Sequence, residues 1–465
     1  MNTTNPQFIP TNAASSMPDL AGNPAAMAPS QFVLWLRTVA PYIHAFSGKT
    51  FVVGLAGEAV KAGYLYTIVQ DLSLLQALGM RIILVHGFRP QVEEQLRLRG
   101  VASQFSHGVR ITDPISLECA KEAAGELRLD IEAAFSQGLP NTPMAHSSIR
   151  VVSGNLISAR PVGIVDGVDF MHTGVVRKID VDTINMALNA KAVVLLSPLG
   201  YSATGEAFNL TMEDVAAKVA IAFDADKLIY ITETPGVTNK EGKLLTEVSE
   251  ATAQQMLKDN YLPAEAAFYL RHALAACEGG VARAHILPFE LDGSVLLELF
   301  LHDGIGSMVV EETLEALREA SIDDVGSILS IIAPLEADGT LVKRDRGSIE
   351  RDIDQFSVIE HDGILFGCAA LYTFKEARMG EMACLAVNKH VQGQGDGERL
   401  LRRIEQRAKA KGLEKLFVLT TRSAHWFLKR GFVVADVDSL PDSRKKSYNH
   451  QRKSQVLVKT LSISN

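Results

Sequence analysis

A chain of 465 residues is about three times the ~150 residues usual for one domain, so two or three folding units are expected. Hydrophobic residues make up 47% and charged residues 22%, which excludes a disordered or fibrous chain. The formal net charge of -8 excludes a whole-chain basic field that would draw the protein to nucleic acid or anionic lipid, and small soluble partners are expected instead.

In chain order, residues 1–28 are rich in Asn, Ser, Pro, Ala and Met and contain no Lys or Arg. They lack the basic segment of a signal peptide and the arginines of a transit peptide, and read as a disordered tail. From about Gln31, amphipathic helical stretches alternate with short apolar runs at 50–55, 81–86, 192–197 and 228–232. Runs without polar alternation are what strands buried on both faces look like, so an α/β unit over 29–309 is expected. Its helix over 212–223 places Val215, Val219 and Ala222 on one face, with Asn209 and Thr211 as candidate caps. Apolar runs this short cannot cross a bilayer, which takes ~20 residues. Leu314 and Leu317 share a helical face, so 310–320 reads as a linker helix. A second α/β unit then fills 321–465, with strands near 356–360, 363–373, 382–387, 416–420 and 454–458; Asp362-Gly363 is a hairpin turn between the first two. Cys119, Cys277, Cys368 and Cys384 form no CxxC pair, so neither a disulfide framework nor a thiolate metal site is indicated, and a reducing cytoplasm fits.

The sharpest chemical signal is Gln392-Gly393-Gln394-Gly395-Asp396-Gly397, between the apolar run ending at Val387 and the helical stretch from Glu398. A glycine-rich turn from strand to helix aims backbone N–H groups and a helix N-terminus at one point, which suits a pyrophosphate. By glycine spacing alone a flexible loop explains it equally well. A dinucleotide fold fits less well, because the motif does not open a βαβ unit.

That Gln-x-x-Gly-x-Gly segment resembles the pyrophosphate loop of the GNAT acyltransferases, and the resemblance extends over about 321–461. Residues from about 41 to 309 resemble the amino-acid kinase family, most closely the N-acetylglutamate kinases. The matching pieces include Gly48-Lys-Thr-Phe-Val-Val-Gly-Leu-Ala-Gly57, Val85-His-Gly87, Gly108-Val-Arg-Ile-Thr112, Phe208-Asn-Leu-Thr-Met-Glu213, Thr232-Glu-Thr-Pro-Gly-Val237 and Leu296-Leu-Glu-Leu-Phe300. The kinases carry a lysine where Gly54 stands, a Gly-Gly pair where Gly87-Phe88 stands and an aspartate where Glu213 stands. Phosphoryl transfer depends on positioned positive charge, so this site is expected to have lost it. The combination resembles the bacterial N-acetylglutamate synthases, which acetylate glutamate at the head of arginine biosynthesis.

The resemblance implies acetyl-coenzyme A as cosubstrate with no permanently bound cofactor or metal. It further implies L-glutamate as acceptor, L-arginine as effector and a homo-oligomer, hexameric in relatives. Spacing alone reads Glu381 as a solvated carboxylate; the resemblance makes it the general base that strips the amine of its proton. Thr420 matches a serine acid of some relatives, with a hydrogen bond to the leaving thiolate as its safer role. Leu385 and Val387, with the 392–397 loop, are the implied coenzyme contacts, and Cys384 is read as lining the site rather than as a nucleophile. Arg344, Arg444 and Arg452 with Ser454 are the implied glutamate contacts, since guanidinium suits planar bidentate carboxylate recognition. Tyr42, His285, Glu298 and Gly304 resemble an arginine site; taken singly, Glu298 reads as capping a domain edge and His285 as a satisfied core histidine. An acetyltransferase for another amine with the kinase-like part as scaffold, and a pure arginine sensor, are the competing readings.

Overall fold

A computed structural model describes residues 29–106, 108–137, 149–301, 304–310, 316–361, 364–388 and 396–461. The expected tail and the loop residues Gln392, Gly393, Gln394 and Gly395 lie outside the described residues.

The front half is built on an eight-stranded sheet. Its spatial order is Glu247–Ser249, Ser307–Val310, Arg283–Pro288, Lys227–Thr232, Thr50–Leu55, Arg81–His86, Val193–Leu196 and Val151–Val152. All neighbours run parallel except Ser307–Val310 against Arg283–Pro288. Every residue of the two central strands, Thr50–Leu55 and Lys227–Thr232, is buried, which is why they read as unbroken apolar runs. Separate apolar clusters cover the two faces: Val52, Ile83 and Tyr230 point into one, Phe51, Ile82 and Ile229 into the other. A smaller four-stranded sheet flanks the unit. The Met212–Ala222 helix is capped by Thr211, whose hydroxyl accepts from Asp214 N–H. Asn209 sits instead in a strand and donates to Thr112.

The back half is a seven-stranded sheet ordered Ala316–Glu319, Phe356–His361, Ile364–Phe374, Met379–Val387, Lys415–Thr420, Gln455–Thr460 and Val433–Ala435. The helix Asp396–Ala410 seals one face with Leu400, Leu401, Ile404 and Ala408.

The expected linker helix over 310–320 is corrected by this sheet. Ala316–Glu319 is an edge strand paired antiparallel with Phe356–His361, and it brings the start of the second unit forward to at least residue 316. The edge of a neighbouring strand overrides a weak local preference here. Leu317 packs on the core, while Arg318 binds Asp324 at 2.7 and 2.9 Å and Glu360 at 2.6 Å.

Burial holds the imidazoles of His86, His272 and His285 down to about 4. The unfolded chain binds those protons near the usual ~6.5, so this contribution to stability is complete above that value and is lost as pH falls toward about 4. Melting followed by circular dichroism should show the transition falling by at least about 5 °C between about pH 7 and about pH 4.5. A midpoint that stays constant over that window contradicts the assignment.

Candidate active site

The site grows from a defect in one strand pair. Met379–Val387 pairs parallel with Lys415–Thr420 only through Met379, Gly380 and Glu381. On its other edge a bulge sets Cys384 and Leu385 opposite the single residue Ala369, and Cys384 takes a left-handed φ of 52°. The bulge bends the strand away from its parallel neighbour, and the two part directly after Glu381. Glu381 and Thr420 therefore sit on the two walls of one split, and both are buried.

Arg444 closes the mouth of this split. Its Nε donates to Glu381 Oε2 at 2.7 Å and its Nη2 to Oε1 at 2.9 Å. Arg344 lies behind, with its guanidinium 5.3 Å above the Tyr372 ring and Nη1 donating to Tyr372 Oη at 2.7 Å. Tyr372 stands opposite Glu381 in the strand register, and its Oη donates a hydrogen bond to Asp352 Oδ2 at 3.1 Å. Among the described residues, the buried Nε of Arg344 has no hydrogen-bond partner. A buried guanidinium donor without a partner is what a substrate carboxylate would satisfy.

Burial pushes the Cys384 thiol up to about 11, with the Arg344 guanidinium opposing the shift. A thiol held protonated is a poor nucleophile. Thr420 Oγ1 accepts from Ser423 N–H at 2.9 Å, which orients the hydroxyl and leaves it a proton to donate.

Arg452 is placed differently from the expectation. Its guanidinium donates to the carbonyls of Gly339, Thr340 and Leu341, at 3.0, 2.6 and 3.4 Å. It thus ties the C-terminal hairpin to the loop that leads to Arg344. Ser454 is buried beside it, and its carbonyl accepts from Tyr448 Oη at 2.6 Å. Of the coenzyme-loop residues, Asp396 is buried at the first turn of its helix, and Gly397 lies against Trp426, where an added Cβ would come 3.2 Å from the indole.

The expected effector residues also converge. His285 Nδ1 meets Glu298 Oε1 at 2.7 Å, and Glu298 Oε2 accepts from Ile305 N–H at 2.7 Å and Gly306 N–H at 3.1 Å. Burial alone would raise Glu298, but His285 and these N–H groups outweigh it and hold the carboxyl below its usual range. Gly304 has φ 59°, and a Cβ there would lie 2.6 Å from Glu298 Oε2. Tyr42 is buried on the helix Pro29–Phe46, which packs against the helix carrying Glu298.

Sequence reading missed Tyr372, Asp352 and Lys227. Lys227 is 3% exposed, with its Nζ 5.1 Å over the Phe46 ring, and burial pushes its amine well below the usual range. With Arg283 it lines a cleft of about 530 Å³ that also takes in Ser327, Ser330 and Asn388 of the second unit. The only local signal was a charge heading an apolar strand.

The kinase-like site is filled where its lysine would stand. A Cβ on Gly54 would lie 2.7 Å from Met212 Sδ and 2.8 Å from Tyr230 Cδ1. Glu213 is buried with Arg89 3.8 Å away, and burial raises its carboxyl.

The amino acid kinase family matches residues 49–288, and the acetyltransferase (GNAT) domain matches residues 352–434. The chain is 62% identical to the amino-acid acetyltransferase of Ralstonia nicotianae, over 95% of this chain and 98% of that relative. The chain belongs to the amino-acid acetyltransferase family. It is an amino-acid N-acetyltransferase with an amino-acid kinase-like front half. It is also 49% identical to the amino-acid acetyltransferase of Pseudomonas fluorescens, over 93% of this chain and 100% of that one. Among solved structures it resembles N-acetylglutamate synthase from Neisseria gonorrhoeae complexed with coenzyme A and L-arginine, with TM-score 0.84 and 40% identity over 92% of this chain and 99% of that one. The same synthase complexed with coenzyme A and N-acetyl-glutamate gives TM-score 0.60 at 40% identity, over 93% and 99%.

Proposed function

We propose that the enzyme transfers the acetyl group of acetyl-coenzyme A to the amino group of L-glutamate, giving N-acetyl-L-glutamate and coenzyme A, as the first step of arginine biosynthesis. The observation that carries this reading is the buried Glu381 in the strand split with Arg344 and Arg444 around it. An α-amino dicarboxylate needs one base and two guanidinium partners, and the split offers that set. Glu381 takes a proton from the acceptor ammonium, and the freed lone pair attacks the thioester carbonyl. Thr420 hydrogen-bonds the departing thiolate. Leu385, Val387 and the 392–397 loop are the coenzyme contacts of this reading, and Arg452, which donates to the Thr340 carbonyl, holds the loop that leads to Arg344.

The regulatory half of the proposal is that L-arginine binds at Tyr42, His285, Glu298 and Gly304 and acts on the acetyltransferase half, while the kinase-like domain transfers no phosphate. The carboxylate of Glu298 suits a guanidinium, and the cleft lined by Lys227 and Arg283 joins that region to the second unit. The likeness to an arginine-complexed synthase supports the same reading. Phe32, Val33, Trp35 and Leu36 are exposed on the first helix, which fits a homo-oligomer, hexameric as in relatives. The four cysteines are buried and none forms a disulfide, which fits the cytoplasm.

Thiol release from acetyl-coenzyme A, measured with a panel of amino acids and amines and with rising L-arginine, tests both halves. L-Glutamate should give the highest kcat/KM, and arginine should change the rate. Glu298→Gln should raise the arginine concentration needed by about tenfold, equivalent to ~1.4 kcal/mol of coupling, with turnover in its absence nearly intact. A different preferred acceptor overturns the substrate assignment; an arginine response unchanged in Glu298→Gln moves the effector site elsewhere.

A further inference from the structure

Arg444 lies 63 positions from Glu381 in the sequence, yet it takes both oxygens of that carboxylate, at 2.7 and 2.9 Å. A bidentate guanidinium engages the oxygens with which a base must accept its proton. The side chains are 10% and 24% exposed for Glu381 and Arg444, so the pair is largely withdrawn from water. Pulling the two apart with nothing in exchange would strand a buried charge.

The two partners are held unequally. Glu381 is fixed in the sheet, paired with Tyr372 on one side and Phe417 on the other. Arg444 belongs to the five-residue helix Asp442–Lys446, which has no side-chain cap. Among the described residues, its other side-chain hydrogen bonds are to Ser447, whose carbonyl lies at 3.3 Å and hydroxyl at 3.1 Å. The guanidinium is therefore the member of the pair that can change partner.

Release must give Arg444 an anion and Glu381 a cation together. An amino acid carries both on one carbon. Its carboxylate can replace Glu381 on the guanidinium while its ammonium replaces the guanidinium on Glu381, so the exchange is electroneutral. A simple amine would strand Arg444, and a simple carboxylic acid would strand Glu381.

We propose that Arg444 is a lock on the catalytic base, opened only by an acceptor that brings its own carboxylate; this rests on the reading of Glu381 as that base. Once the exchange has occurred, an N–H bond of the ammonium breaks and an O–H bond forms on Glu381. The nitrogen lone pair adds to the thioester carbon. The C–S bond then breaks, the sulfur leaves as thiolate and takes the proton back from Glu381, and the carboxylate so freed accepts the second proton of the nitrogen as the amide forms and passes it to water. A second carboxylate on the acceptor falls to Arg344, whose buried Nε has a bond to make. Selection for an amino acid over an amine is thus exerted on the base itself as well as on binding.

The test follows thiol release from acetyl-coenzyme A by the full chain, as wild type, Arg444→Gln, Glu381→Gln and the double variant. The acceptors are L-glutamate and n-butylamine, an alkylamine of similar reach with no carboxylate. Arg444→Gln should lower kcat/KM for glutamate and raise the butylamine rate about tenfold or more, and the gain should vanish in the double variant because it depends on the freed base. Calorimetry with acetyl-coenzyme A establishes that each variant keeps its coenzyme site; if Arg444→Gln does not, Arg444→Lys, which keeps the charge and loses the fork, is read in the same way. A butylamine rate that stays at or below wild type in a variant that binds coenzyme overturns the lock and leaves Arg444 as a binding residue. Full glutamate turnover in Glu381→Gln overturns the base assignment instead, so the two failures are distinct.

Discussion

Glu381→Gln should retain acetyl-coenzyme A binding and lose acetyl transfer near neutral pH by on the order of 100- to 10,000-fold, the usual worth of a general base. The substitution keeps the planar shape and one oxygen for Arg444, so the strand register at Tyr372 and Phe417 has no reason to change. What disappears is the group that accepts the ammonium proton, and an ammonium has no lone pair to attack a thioester. Raising the pH should recover part of the loss, because free amine then arrives already deprotonated. Rates measured from about pH 7 to about pH 10, across the usual range of amine titration, check both statements. Wild-type turnover throughout would remove Glu381 from the chemistry.

Gly54→Lys, which restores the lysine of the related kinases, should yield no phosphoryl transfer and should destabilise the front half by more than about 4 kcal/mol. Its first carbon alone would sit 2.7 Å from Met212 Sδ and 2.8 Å from Tyr230 Cδ1. Tyr230 cannot swing aside easily: it is fully buried, and its hydroxyl donates to the Glu213 carbonyl at 2.8 Å. The added chain would also carry an ammonium into an apolar cluster, which adds a desolvation cost to the overpacking. Gly54→Ala separates the two terms, since it brings the clash without the charge and should cost about 1 to 3 kcal/mol. Urea midpoints of the three proteins are the measurement. Equal midpoints would mean that Met212 and Tyr230 yield freely and that the lysine space was never closed.

Much of this protein is legible from one dimension. Strands buried on both faces announce themselves because nothing charged interrupts them, as at 50–55 and 228–232. Thr211 marks its helix start because an N-cap bonds only two or three residues ahead. Glu381, Arg344 and Arg444 came forward through the family resemblance of the stretches that hold them, because spacing alone reads Glu381 as a solvated carboxylate. What the tertiary structure decided are the choices among distant partners. Leu314 and Leu317 are spaced for a helix, yet the open edge of Phe356–His361 draws Ala316–Glu319 into a strand. Arg444 and Arg452 look equivalent along the chain, eight positions apart in the same basic stretch. Folding sends one guanidinium onto the Glu381 carboxylate and the other onto the carbonyls of 339–341. Periodicity and capping are local and survive in sequence, whereas the partner of a long charged side chain depends on which groups the sheet register and the bulge at Cys384 bring within about 3 Å.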